Sequence, residues 1–347
     1  MSYTKSLLVV IFLGNMLASY STAQATTYTF SSFDYPGGLP TVANGINNNG
    51  DIVGGYRPDP DFLRSNAYLR DSGGAFTTIN LPVSDAFTTV ANGINDSGTI
   101  VGYYADDTLA HHGFIDMGGS FTIFQVPGEV RPNNNTEANG INNGGTVVGH
   151  YADFTIDRGF MKAGANITTI NAPFFFRLGT QATGINNSGL IVGYYLDSET
   201  YHGFLRDAFG NFTSIDVPFP DAIETFALGI NDAGTIIGKY TDDDFNDHGF
   251  LYAGGNFFPL DFPGATNTIA SGINDSGTIV GNYSFADSPE HGFIATPALV
   301  PEPATLLMLT SGLIGLAALK GKFTRSAQHS REDRVAMSCL DMHHSNR

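Results

Sequence analysis

The densest group of side chains able to do chemistry is Thr241-Asp-Asp-Asp-Phe-Asn-Asp247. Hard cations such as Ca²⁺ take about six to eight oxygen ligands, and Asp242, Asp243, Asp244 and Asp247 could supply several. The run lacks the glycine spacing of an EF-hand loop and the Gly-Gly-x-Gly-x-Asp pattern of calcium-binding solenoids. A solvated acidic loop is therefore the plainer reading, and calcium is the only cofactor the residues suggest. His112, His202, His248 and His291 recur in the frame His-Gly-Phe, with Arg158 and Asn66 in the same place elsewhere. Residues spread so regularly along a chain belong to separate units, so they read as structural histidines and not as one metal centre. There is no Gly-x-Ser-x-Gly elbow, no His-Glu-x-x-His helix and no phosphate-binding glycine loop. No catalytic activity is expected. The rival is a polysaccharide hydrolase or lyase, because two carboxylates need only converge in space.

Between residues 26 and 300 stand nine Lys/Arg and 29 Asp/Glu, a formal charge of −20. So acidic a surface repels phosphate backbones, which excludes nucleic acid as a natural partner. The only cysteine is Cys339. The rest of the chain therefore has no disulfide, and burial and sheet hydrogen bonds must hold it together.

These residues sit in a repeat. Gly-Ile-Asn begins at Gly45, Gly93, Gly140, Gly184, Gly229 and Gly272, and a tyrosine follows eleven residues later each time: Tyr56, Tyr104, Tyr151, Tyr195, Tyr240 and Tyr283. Constant spacing inside variable spacing marks a rigid hairpin between looser joints. A period in the forties marks units that cannot bury their apolar faces alone. In the second copy, Thr89 to Asn95 and Thr99 to Tyr104 read as strands around an Asn-Asp-Ser-Gly turn, with Ala91 and Gly93 expected on one face. His112-Gly-Phe-Ile115 and the Phe-Thr segment at Phe121 supply two more. Four short antiparallel strands per copy predict an all-β chain, a six-bladed β-propeller over residues 26–298. The last copy lacks its Phe-Thr strand and the first is preceded by a spare one, Tyr28 to Pro36. The N-terminal strand is thus expected to close the ring, the alternative being an open array of β-repeats.

The Asn-turns are short in every copy and share one face. The loops after the tyrosine and after the proline vary in length and share the other, where binding is expected. That face collects acids, among them Asp59, Asp61, Asp106, Asp107, Asp153, Asp157, Asp197, Glu199, Asp287 and Glu290.

The ends carry addresses. Lys5, the apolar run Leu7 to Leu17 and Ala23-Gln24-Ala25 read as a signal peptide over residues 1–25. Val300, Pro301, Glu302 and Pro303 precede the apolar run Leu306 to Leu319 and then Lys320, Lys322 and Arg325. Residues 299–325 resemble the PEP-CTERM sorting signal of diderm bacteria. That resemblance implies export, a transient anchor in the inner membrane through a short transmembrane helix, and processing by an exosortase. Such signals usually stop at the basic cluster, and residues 326–347 read as a disordered extension. The repeats, with Gly-Ile-Asn-Asp-x-Gly-Thr-Ile-Val-Gly and His-Gly-Phe-Leu, resemble those of the bacterial extracellular HAF family, which implies a secreted propeller-like module without known catalytic residues. The expectation is a secreted protein that binds or adheres at the cell surface or in the extracellular matrix, with an exopolysaccharide or surface glycan as partner.

Overall fold

The structure is a computed structural model and describes residues 27–58, 64–127, 135–153, 156–173 and 179–298. The leader, the sorting motif Val300–Pro303 and everything after it lie outside the described residues, as do Asp59 and Asp61. All 24 regular elements among the described residues are β-strands, and no helix there is long and apolar enough to cross a membrane. In the second repeat Thr88–Ile94, Thr99–Ala105, His111–Met117 and Phe121–Phe124 pair in that order, each antiparallel to the last. The chain is a β-propeller arrangement of such antiparallel meanders.

Among the described residues four sheets have four strands, and a fifth has eight because the third and fourth repeats are joined by one parallel pairing, Asp157 with Gly179. The strand Tyr28–Phe33 runs antiparallel to His291–Pro297, with Tyr28 opposite Pro297 and Phe33 opposite Gly292. The Asn-turns form as their residues dictate. Gly98 N–H donates to the Asn95 carbonyl at 3.0 Å with Gly98 at φ 77°, a left-handed conformation that costs glycine nothing.

One sequence expectation needs correction. The Gly-Ile-Asn strand of every repeat carries a bulge just before its glycine, between Ala91 and Gly93 in the second copy. An extra residue inverts the alternation of side chains, so Ala91 and Gly93 face opposite ways. Ala91 packs with Val53, Ala67 and Ile79 of the first repeat. Gly93 faces the third: a Cβ there would lie 3.0 Å from the Asn139 carbonyl oxygen and 3.2 Å from Gly140 Cα. Only glycine permits backbones to approach so closely.

The core explains why the unit is the pair and not the copy. Each apolar cluster is shared between neighbouring repeats, as where Val192, Ile215 and Val217 of the fourth meet Ala227, Ile236 and Phe250 of the fifth. Another joins Val280 of the sixth to Ala43, Ile46 and Tyr68 of the first. The aromatic residue of each His-Gly-Phe frame, such as Phe114, Phe204 or Phe293, is fully buried. Burying a side chain of that size stabilises by about 1.5–3 kcal/mol, which is realised only when the neighbouring sheet is in place.

Candidate binding face

The two ends of the propeller axis are built differently. On the Asn-turn side, the first asparagine of each turn works twice. Asn95 Oδ1 accepts the N–H of Ser97 at 3.1 Å and of Thr99 at 3.0 Å, shaping its own turn. Its Nδ2 donates to the Asn142 carbonyl of the next repeat at 3.2 Å. The same step runs from Asn47 to Asn95, Asn142 to Asn186, Asn186 to Asn231, Asn231 to Asn274 and Asn274 to Asn47.

The following residues form a second tier. The backbone N–H groups of Asn48, Asp96, Asn143, Asn187, Asp232 and Asp275 each donate to the side-chain Oδ1 of the next member, with Asp275 returning to Asn48 at 2.8 Å. Burial raises the Asp96 carboxyl, but hydrogen bonds from Asn48 and Asn143 outweigh it and hold it below the usual range. The cavity they surround measures only about 70 Å³. Its polar groups are engaged with one another, so this end is a structural seal.

The opposite face carries the variable loops. There each recurring histidine is a clip. His202 reaches Asp197 through Nε2 at 3.2 Å and Asp216 through Nδ1 at 2.9 Å. His248 reaches Asp242 at 3.1 Å and Asp261 at 3.2 Å. His112 lies between Asp106 and Gln125, and His291 holds Asp34. Each thus ties the loop after the tyrosine, the connection after the last strand, or both. Tyr104, Tyr195 and Tyr240 stack on their histidines at 4.8, 5.2 and 5.1 Å. All six repeated tyrosines are buried. Tyr56, Tyr151 and Tyr283 share hydroxyl hydrogen bonds with Thr78, Thr169 and Ser32. These histidines and tyrosines thus bond and pack within the protein.

The acidic loop is likewise engaged. Asp242 Oδ1 accepts the N–H of Asp244 and Asn246, and Asp247 accepts Lys239 Nζ at 2.8 Å and the Thr241 hydroxyl at 2.9 Å. Asp242, Asp243, Asp244 and Asp247 do not converge into a cage: no group of three or more His, Cys, Asp or Glu among the described residues is arranged to hold a metal ion.

What varies is one tier at the mouth of this face. The residue before each repeated tyrosine is Gly55, Tyr103, His150, Tyr194, Lys239 or Asn282, and opposite it stand Val42, Val90, Glu137, Gln181, Phe226 and Ile269. Glu137 meets His111 Nδ1 at 2.7 Å and His150 Nε2 at 3.8 Å. Burial pushes its carboxyl up, but the His111 hydrogen bond and the two imidazoles bring it below the ordinary value. Tyr194 donates to Gln181 at 2.5 Å, and Gln181 donates to Asp157 at 2.7 Å. Lys239 lies over the Phe226 ring at 4.7 Å. Glu290 accepts from Asn282 at 3.0 Å, and burial outweighs the nearby Arg57 to raise its pKa. Sequence reasoning chose this face for its loops and missed this tier. Aligning the six copies on Gly-Ile-Asn would have found it, since the position ten residues on differs in all but one pair.

Between the third and fourth repeats the same face opens into a cavity of about 370 Å³, lined by Ile156, Asp157, Arg158, Asn171, Gly179 and Thr180. A smaller space adjoins it against Gln181, Tyr194 and Tyr201.

Residues 299–322 match the family model of the PEP-CTERM protein-sorting motif. The chain carries an exosortase sorting signal. It is therefore sent to the cell surface of a Gram-negative bacterium through the inner membrane, with exosortase as its processing enzyme. No curated protein matches the sequence significantly. Solved structures similar in fold include virginiamycin B lyase from Staphylococcus aureus (11% identity, 77% of this chain and 99% of that one, TM-score 0.43). A mutant of the Aleuria aurantia lectin with Fucα1-6GlcNAc is another (12% identity, 79% and 100%, TM-score 0.47). A third is the SapL1 lectin in complex with α-methyl fucoside (12% identity, 76% and 97%, TM-score 0.49).

Proposed function

We propose that the exported chain is a non-catalytic binding and adhesion module. Residues 26–298 form six four-stranded blades of HAF-type repeats, sealed as a ring by the N-terminal strand, and the variable-loop face takes a surface or matrix glycan. The ring is supported by the pairing of Tyr28–Phe33 with His291–Pro297 and by the return of both hydrogen-bonded tiers from the sixth repeat to the first. The observation that carries the binding reading is where repetition fails. Scaffold positions repeat in residue type, whereas the tier beside the variable loops holds Tyr, His, Lys, Glu, Gln and Phe at equivalent places. Scaffold alone gives no reason for that diversity, and a mixture of aromatic faces and fixed amide or carboxylate groups suits sugar rings and hydroxyls.

The test is retention of the purified exported protein on a glycan array. Tyr194→Ala and Lys239→Ala should each weaken retention about tenfold, while Ser97→Ala and Ser276→Ala on the Asn-turn face leave it unchanged. Equal losses from both faces, or no retained glycan, would retire the reading.

A polysaccharide hydrolase or lyase is the second reading, favoured by Glu137 alone. Its carboxylate on His111 Nδ1 leaves Nε2 as the basic nitrogen of that ring. Release of reducing or unsaturated sugar ends by the wild type, lost in Glu137→Gln, would select catalysis over binding.

A further inference from the structure

We propose that the Leu109 and Phe245 tips of the variable-loop face contact a polycationic glycan, a polymer of amino sugars. The two apolar side chains would meet its pyranose rings, and the aspartates beside them its ammonium groups. The inference rests on the glycan-binding reading and gives that reading contact residues and a ligand charge.

One turn is built repeatedly with glycine and twice without it. In the second Asn-turn, Asn95 Oδ1 accepts the N–H of Ser97 and of Thr99, and Gly98 donates to the Asn95 carbonyl. Two loops on the opposite face repeat these bonds. Asp106 Oδ1 accepts the N–H of Thr108 at 2.8 Å and of Ala110 at 3.0 Å, while Leu109 donates to the Asp106 carbonyl at 3.0 Å. Asp242 Oδ1 accepts the N–H of Asp244 at 3.0 Å and of Asn246 at 2.8 Å, while Phe245 donates to the Asp242 carbonyl at 3.0 Å. The left-handed place is glycine in all six Asn-turns. In these two loops leucine and phenylalanine occupy it, both at φ 65°, a strained conformation for a large side chain.

Folding recovers little of that strain. Leu109 is 59% exposed and Phe245 80%, so neither buries enough apolar surface to offset it. Asp287, the other non-glycine residue at positive φ among the described residues, is short and polar and lies in the corresponding loop of the sixth repeat. Phe209 is the contrast. It is more exposed still, in the Asp207–Asn211 turn on the Asn-turn side, but there Gly210 takes the left-handed place. Strain that the fold does not need, confined to one face, marks positions held for a contact.

The surroundings select the occupant. Asp107 in one loop and Asp243 and Asp244 in the other are exposed, and residues 26–300 carry a formal charge of −20. Anionic polymers and anionic lipid surfaces are repelled. A single apolar tip among carboxylates is also too charged for the dry core of a protein interface. An amino sugar satisfies both parts: its C–H face covers an apolar side chain, and its ammonium pairs with a carboxylate or lies over the Phe245 ring. The tip recurs on two separate repeats, which suits a ligand of repeating units.

Calorimetry on the purified exported protein tests this, with a glucosamine hexasaccharide against its N-acetylated counterpart at mildly acidic pH. The protonated oligomer should bind about tenfold more tightly, as a few exposed charge pairs imply, and added salt should shrink the difference. Phe245→Gly and Leu109→Gly should each weaken that binding about threefold or more. The same variants should melt about 2 °C higher, because glycine relieves the backbone; a residue that only supports the fold would not combine these effects. Phe209→Ala should leave binding unchanged. Equal affinity for the neutral oligomer, or unaltered binding in the Leu109→Gly/Phe245→Gly double variant, overturns the assignment and leaves the glycan reading standing. So does failure of both oligomers while the array retains another glycan, whereas retention of none removes both. Self-association, or adsorption to phosphatidylcholine vesicles, that disappears in the double variant would also overturn it, with a second copy or a lipid surface as the occupant.

Discussion

Replacing Asn274 by Asp alters one atom of the inter-repeat belt and tests whether the sixth repeat bears on the first. The carboxylate keeps the acceptor that shapes the turn, at present receiving Thr278 N–H at 3.0 Å and the Ser276 hydroxyl at 2.7 Å. It loses the donor that reaches the Asn47 carbonyl at 3.2 Å and sets a negative oxygen against it. The Asn47 carbonyl keeps the Gly50 N–H of its own turn at 3.1 Å. But Asn274 is buried, so its new carboxylate oxygen would face that carbonyl with no donor between them, a cost of about 1–3 kcal/mol. Asn142→Asp makes the identical change between adjacent repeats, where Nδ2 reaches the Asn186 carbonyl at 3.2 Å, and its cost should be the same. Urea unfolding followed by far-ultraviolet circular dichroism measures both. For a chain of this size each kcal/mol lowers the melting temperature by about 2–4 °C. If Asn142→Asp destabilises and Asn274→Asp does not, the sixth repeat does not press on the first, and the closed ring is wrong.

Gly93→Ala should destabilise by about 1–3 kcal/mol, because the new methyl meets the Asn139 carbonyl and Gly140 backbone; a neutral result by urea titration would show that neighbouring blades can separate. Removing residues 27–34 leaves the His291–Pro297 edge unpaired, so the truncated protein should self-associate in light scattering, and a monomer of unchanged stability would contradict the role given to this strand. Burial lowers the His248 pKa, but Asp242 and Asp261 outweigh it and raise it above 6.5. The clip's stabilisation is therefore complete below about pH 6.5, the unfolded value, and disappears as pH rises through the folded one. Melting temperature should decline over that rise in the wild type and not in His248→Asn; parallel curves would exclude the clip.

The local parts of this protein were legible in its sequence. Alternating β-formers, Asn-Asp-Ser-Gly turns and an eleven-residue interval from Gly93 to Tyr104 specify a hairpin, because strand period and turn chemistry act between near neighbours. The face with the variable loops could be named for the same reason. The bulge at Asn92 could not: one extra residue leaves the apolar pattern intact, and only the paired strand reveals that Ala91 and Gly93 point apart. Neither could the tier of Tyr103, Glu137, Tyr194 and Lys239 be located from its chemistry, since each residue taken singly is ordinary. The contact of Asp275 with Asn48 spans 227 residues. No local rule acts over such a separation, so tertiary packing alone decided which polar groups pair with one another.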